Sequence, residues 1–330
     1  MQKISRFLIG LIVVFAFFLG MPLEADADQA QPKKLAYLVS DLRIPFWEIM
    51  WRGARGKAKE LGYDIAVYSA ENDAKTEMQF TAQVIRDKVD GIIVSPTNSS
   101  ACVTILKLAK AAGIPVVISD IGTDNGDYVS YISSDNRHGA YQLGRILTER
   151  MLELDWQDGR VGIISIPQKR ANGKARTAGF MQALDEAGIK GAGLRQQMTF
   201  SYQETYDFAK ELIEANADLR ALWLQGSDRY QGALDAIANT GKAGEILLIT
   251  FDAEPEFLDL IPQGILVGAG MQQPYLMGET AVKAMDEHIN GTAVDKDMQL
   301  PILAVSTKNI ELLMPVIKRN VLGLETGISN

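Results

Sequence analysis

From Lys34 onward, short apolar runs alternate with longer amphipathic stretches. Leu35–Val39, Ile65–Tyr68, Gly91–Val94 and Ile114–Ile118 are rich in β-branched and aliphatic residues, as strands buried on both faces are. Between them, Pro45–Leu61, Ala74–Lys88 and Ala101–Ala112 carry apolar residues at helical spacing, and Gly62 and Gly113 follow two of them as stop signals. Strand and helix in strict alternation predict βαβ units, hence a parallel sheet with helices on both faces.

The rhythm breaks at Asp120–Asp127, which holds two glycines and three aspartates. Val129–Ser133 reads as a strand and Asn136–Glu153 as a long amphipathic helix. A second alternation then begins. It runs through a strand at Val161–Ser165, a helix through Arg176 to Ala187, a strand at Leu194–Phe200 and a helix at Tyr202–Ala215. Strands at Ala221–Leu224, Ile246–Phe251 and Ile265–Met271 follow, with a helix over Asp228–Thr240. Pro274–His288 predicts another helix and Ile302–Val305 a last strand. The fold class is therefore α/β: two doubly wound parallel-sheet lobes, changing over near Ser134-Asp135-Asn136. Beyond Lys308, the helical spacing of Ile310, Leu313 and Val316 predicts a helix packed on the surface.

Composition narrows the class. The 330 residues are 47% hydrophobic and 22% charged, enough for one large or two ordinary domains. The net charge of -8 gives no support to a nucleic-acid partner. The N-terminus predicts a cleavable export signal over residues 1–27. Lys3 and Arg6 precede the apolar run Phe7–Gly20, and Ala25-Asp26-Ala27 supplies the cleavage pattern. An exported chain whose single cysteine is Cys102 has no intrachain disulfide, so its core must suffice; Cys102 itself reads as buried and structural.

Catalytic chemistry is sparse. His138 and His288 are the only histidines and lie far apart. The sequence holds no HExxH, CxxC, P-loop, nucleophile elbow or strand-linked GxGxxG. No cofactor, no metal and no enzymatic step is expected. Polar residues instead gather at the carboxyl ends of the predicted strands: Ser95-Pro96-Thr97-Asn98, Asp120, Asp252, and Gln272 with Gln273. Phe46 and Trp47 stand at a predicted helix start just past the first strand, with Pro45 where a first turn tolerates it. Ligands of open α/β sheets bind at that edge. Carboxylates, amides and aromatic faces there suit a small polyhydroxylated guest, with hydrogen bonds to charged groups contributing about 1.5–3 kcal/mol each.

In order and spacing, several segments together resemble the periplasmic sugar-binding proteins of the ribose/galactose/xylose type, the solute receptors of ABC transporters. They are Ser40…Pro45-Phe46-Trp47, Gly91-Ile92-Ile93-Val94-Ser95-Pro96, Gly113-Ile114-Pro115-Val116-Val117…Asp120, Ile132-Ser133-Ser134-Asp135-Asn136, Arg176-Thr177-Ala178-Gly179-Phe180, Phe251-Asp252 and Gln272-Gln273-Pro274. The resemblance runs from Lys34 to about Lys308. It implies a type I periplasmic binding fold with a three-segment hinge near Ser134, Gln272 and Met298. The implied N-terminal lobe comprises residues 34–134 plus 273–298, the C-terminal lobe 135–272 plus 299–308, and 309–330 form an extension. It further implies ligand contacts from Phe46, Trp47, Asp120, Arg176, Phe200, Asp252 and Gln272.

The chain departs from the ribose-type pattern where Ile121 replaces an arginine, Ile44 and Ser95 replace asparagines, and Gly226 stands where an amide is expected. A pocket built for particular hydroxyls rejects mismatched ligands strongly, so ribose itself is not implied. The resemblance implies a periplasmic monomer that closes on a small polar ligand, most simply a monosaccharide. Its partner would be a transporter permease or, alternatively, a membrane histidine kinase or chemoreceptor.

Overall fold

The computed structural model describes residues 32–324. The export signal expected over residues 1–27, and residues 325–330 of the extension, lie outside the described residues.

The first lobe opens with β1 (Lys34–Val39), α1 (Pro45–Glu60), β2 (Asp64–Ser69), α2 (Ala74–Arg86), β3 (Gly91–Ser95), α3 (Ser99–Ala111), β4 (Val116–Ser119) and β5 (Ser130–Ser134). The chain then builds α4 (Asn136–Glu153), β6 (Arg160–Ser165), α5 (Ala171–Glu186), β7 (Lys190–Gln196), α6 (Tyr202–Ala215), β8 (Leu219–Leu224), α7 (Tyr230–Asn239), β9 (Leu247–Phe251), α8 (Phe257–Leu260) and β10 (Gly268–Met271). It returns as α9 (Pro274–Ile289) and β11 (Asp297–Leu300), then passes to β12 (Leu303–Ser306) and α10 (Ile310–Val316).

Two six-stranded sheets result, ordered β11-β5-β4-β3-β1-β2 and β12-β10-β9-β8-β6-β7. The first is parallel throughout. The second is parallel except for β12, which runs antiparallel to β10. Each sheet is covered on both faces, by the Trp47–Met285 and Val84–Cys102 clusters in the first lobe and the Phe180–Trp223 and Leu212–Phe257 clusters in the second. β3, whose five residues are all buried, is the kind of strand an apolar run announces.

Differences from the sequence expectation fall at weakly patterned places. The strand expected at Leu194–Phe200 is instead Lys190–Gln196, an edge strand with mostly exposed side chains and therefore little hydrophobic signal. β10 begins at Gly268 rather than Ile265. β11 has no counterpart in the expectation, since Asp297-Met298-Gln299-Leu300 is a half-polar edge strand. It pairs with β5 through Leu300, so the third passage between sheets lies at Pro301-Ile302 rather than at Met298. The segment after Lys308 is more than a surface helix. Ile310, Ile317, Val321 and Leu322 are buried in the second lobe's core, while α10 runs into a π-helical turn at Ile317–Val321.

Candidate functional site

Cavity-facing residues sit where helices begin. α1, α5 and α7 start from Ile44, Arg170 and Arg229, and none of these starts has a side-chain cap. By contrast α2, α3, α4 and α6 are capped by Asp73, Asn98, Asp135 and Ser201. The uncapped starts converge with the carboxyl ends of β4, β9 and β10 on one cavity between the lobes.

All seven residues implied by the resemblance line this cavity. Trp47 is buried, with Phe46 edge-on at 6.0 Å between ring centroids, and its indole Nε1 finds no partner among the described residues. Asp120, Phe200 and Asp252 all have left-handed backbones, with φ of 62°, 53° and 66°. Aspartate tolerates this conformation, whereas a bulky residue such as Phe200 takes it only when its surroundings impose it. The Asp120 turn is held by its N–H donating to Ile132 O and by the Tyr131 hydroxyl donating to its carbonyl. Asp252 N–H donates in the same way to Gly270 O.

The polar groups are buried and cross-linked. Arg176 Nε donates to Asn136 Oδ1 at 2.8 Å and Nη1 to Gln225 O at 3.2 Å, with the guanidinium 3.9 Å from the Phe251 ring centroid. Asp252 Oδ2 lies 3.7 Å from Arg176 Nη1, and Asp252 Oδ1 accepts from Gln272 Nε2 at 2.7 Å. Burial pushes the Asp252 carboxyl up to about 6, against the opposing pull of Arg176. Burial likewise raises Asp120, with Arg176 and Arg170 opposing. Gln225 Oε1 and Gln272 Oε1 accept no hydrogen bond. Buried acceptors in this state are groups a ligand hydroxyl can satisfy.

Sequence reasoning missed Arg170, Asn172, Asp228 and Arg229 on the wall. Arg170 crosses the cleft, donating from Nε to Thr97 O (3.3 Å) and from Nη2 to Asn72 Oδ1 (3.0 Å) and Ser40 Oγ (3.5 Å). Ala171 N–H donates to Ser99 Oγ and Asn172 Nδ2 to Asp120 Oδ1. The lobes are thus closed, latched by three consecutive residues. The available signal was position: Arg170 and Arg229 lie between a strand and the helix that follows it, as Phe200, Asp252 and Gln272 do.

The histidines stand away from the cavity; His138 stacks on Tyr141 and His288 lines a separate groove. Cys102 is buried, its thiol pushed up to about 12 by desolvation. No group of His, Cys, Asp and Glu that could hold a metal occurs among the described residues, and none of their helices is long and apolar enough to cross a membrane.

Two α/β lobes closed over a polar, aromatic-lined cavity define a binding protein of the clamp type. The chain belongs to the periplasmic binding protein domain family, which it matches over residues 35–293. This is a family of binding proteins rather than enzymes. The ribose import binding protein of Bacillus subtilis is 26% identical over 298 residues, covering 89% of this chain and 95% of that one. The D-ribose/D-allose-binding protein of Pseudomonas aeruginosa is 27% identical over 315 residues, covering 90% and 97%. Among solved structures, a carbohydrate transporter solute binding protein from Agrobacterium radiobacter in complex with D-arabinose superposes with a TM-score of 0.81 at 22% identity, covering 88% and 99%. An Actinobacillus succinogenes solute binding protein with bound D-allose gives 0.78 at 23%, covering 85% and 99%. These structures establish the type I periplasmic binding fold.

Proposed function

We propose that the protein is exported to the periplasm, captures a small polyhydroxylated ligand of the monosaccharide class by lobe closure, and delivers it to an ABC transporter permease. The observation that carries this reading is the enclosure. Residues of both lobes wall one cavity, and Arg170, Ala171 and Asn172 latch the lobes across it. Phe46 and Trp47 provide apolar ring surfaces for C–H groups, while Asp120, Asp252 and the two unsatisfied amide oxygens accept from hydroxyls. The relatives named as import binding proteins favour transport over sensing. Closure takes the ligand out of water, and the closed rim is the surface a permease would read. Phe46, Trp47, Asp120, Arg176, Phe200, Asp252 and Gln272 are the ligand contacts, and the protein acts as a monomer.

Small-angle scattering of the protein without its leader, with and without a panel of pentoses, hexoses and their acids, tests this. At least one ligand should reduce the radius of gyration, and Asp120→Ala should abolish that response. A radius of gyration unaltered by every ligand would remove the basis for the clamp.

A further inference from the structure

The cavity is unusual in its cations. Arg170, Arg176 and Arg229 all line it, and each is at least nine-tenths buried. Arg176 faces Asp252, and Arg229 Nη1 pairs with Asp228 Oδ2. Among the described residues, Arg170 has no carboxylate within 4.0 Å; its acceptors across the cleft are a carbonyl, a hydroxyl and an amide oxygen. Closure therefore buries a guanidinium with no carboxylate in direct contact, attracted only at longer range by Asp120 and Glu77, an arrangement that a ligand anion would stabilise.

Arg229 contributes a second feature. Its guanidinium occupies the space that a side chain at position 226 would fill: a Cβ on Gly226 would lie 2.5 Å from Arg229 Nη2. The place where an amide is expected thus holds a donor-only cation, and the buried Arg229 Nε has no partner. The guanidinium carbons of Arg170 and Arg229 lie 5.4 and 5.1 Å from the same Phe200 ring centroid, close enough to each other to repel. The uncapped starts of α1, α5 and α7 direct three helix N-termini, each a partial positive charge, at the same space.

The charges acting on Arg170 are Asp120 and, behind Thr97, Glu77, which attract it, and Arg176 and Arg229, which repel it. Asp120 and Asp252 lie where they can accept from hydroxyls, while the Arg170–Phe200–Arg229 corner presents two guanidiniums, and its acceptors Asp228 and Gln197 are already engaged by Arg229. From this asymmetry we infer that the ligand is a hydroxylated monocarboxylate, a sugar acid. Its carboxylate lies at Phe200 between Arg170 and Arg229, and its hydroxyls face Asp120, Asp252 and Gln272. The cavity's three guanidiniums are matched by the carboxylates of Asp120, Asp228 and Asp252, but the Phe200 corner sets Arg170 and Arg229 against Asp228 alone; that local excess of one positive charge favours a carboxylate over a phosphate. The inference rests on the clamp reading and deepens it.

Titration calorimetry with matched pairs tests it: D-galacturonate against D-galactose and D-ribonate against D-ribose, with D-ribose 5-phosphate as a further probe. At least one acid should bind about tenfold or more tightly than its neutral partner, and this advantage should shrink as salt rises from about 0.05 to about 0.5 M. Arg229→Gln should remove the advantage and Arg229→Lys restore part of it. Should Arg229→Gln fail to fold, Arg170→Gln carries the same expectation. Neutral sugars binding as tightly as their acids, with compaction, would overturn the carboxylate assignment and leave the clamp standing. The phosphate binding more tightly than either acid would overturn the monocarboxylate. Absence of binding and compaction with every probe would overturn both readings.

Discussion

Glu77 illustrates how much a single buried carboxyl can bear. It is 1% exposed and accepts from Thr97 N–H at 2.8 Å and Thr97 Oγ1 at 2.9 Å, fixing the loop to which Arg170 latches. Burial nevertheless raises its pKa from 4.5 to about 7. The folded state then binds more protons than the unfolded one between those two values, so stability falls as pH rises through this window. The full penalty, on the order of 3 kcal/mol, is present only above about 7. Glu254, also raised to about 7 by burial, and Asp252, raised to about 6, act in the same direction. Glu77→Gln should therefore gain stability over the parent at pH 8 but not at pH 4, read as melting temperatures at both. An equal offset at the two pH values would contradict the ionisation argument. Asp120 and Asp252 were legible because each directly follows an apolar strand. Arg170 and Arg229 were not, because a basic residue before a helix gives no sign of whether it points outward or across a cleft.

At the scale of elements, tight helix pairs hold each lobe together. α1 and α9 approach so closely that a Cβ on Gly278 would lie 2.0 Å from Met50 O, and one on Gly53 2.1 Å from Tyr275 O. α4 and α5 make the same contact in the second lobe through Gly179 and Arg137 O. Backbone cannot yield as a side chain can, so Gly278→Ala should destabilise by about 1–3 kcal/mol or more. Gly56 in α1 meets only the Tyr275 hydroxyl, at 3.4 Å. Gly56→Ala should therefore be neutral or stabilise by about 0.5–1 kcal/mol through helix propensity alone. Chemical denaturation of the two variants separates packing from propensity, and equal effects would sink the distinction. Helical spacing announced these helices, but nothing local said which glycines would face a neighbouring backbone.

Across the whole molecule, and besides the chain passages between the sheets, hydrogen bonds among the described residues tie the lobes at the cleft and at the C-terminal segment. The cleft tie is the latch from Arg170 to Asn172. The C-terminal segment is rooted in the second lobe's core and reaches the first lobe. Arg319 donates to both oxygens of Glu279 on α9, at 2.6 and 3.0 Å. Asn320 Nδ2 donates to Gln273 Oε1, and Arg52 on α1 donates to the carbonyls of Leu322 and Gly323. The Arg319–Glu279 pair is partly exposed, so its loss should cost about 1 kcal/mol or less in stability. Its mechanical effect should be larger: Arg319→Ala should widen the ligand-free scattering profile and weaken ligand affinity. Unchanged scattering and affinity would assign the segment to core packing alone.

By itself the sequence determined the two runs of strand and helix, because parallel strands buried on both faces must be continuously apolar. It also marked the strand ends where Asp120, Asp252 and Gln272 gather, because connections there are polar and face the ligand edge. The tertiary structure alone decided the edge strands β7 and β11, the passage at Pro301-Ile302, the C-terminal tie and the three converging guanidiniums. Each depends on contacts between distant segments, as when Arg170 meets Thr97 across 73 positions of sequence. Such contacts leave no periodicity in the chain and arise only once the lobes have folded and closed.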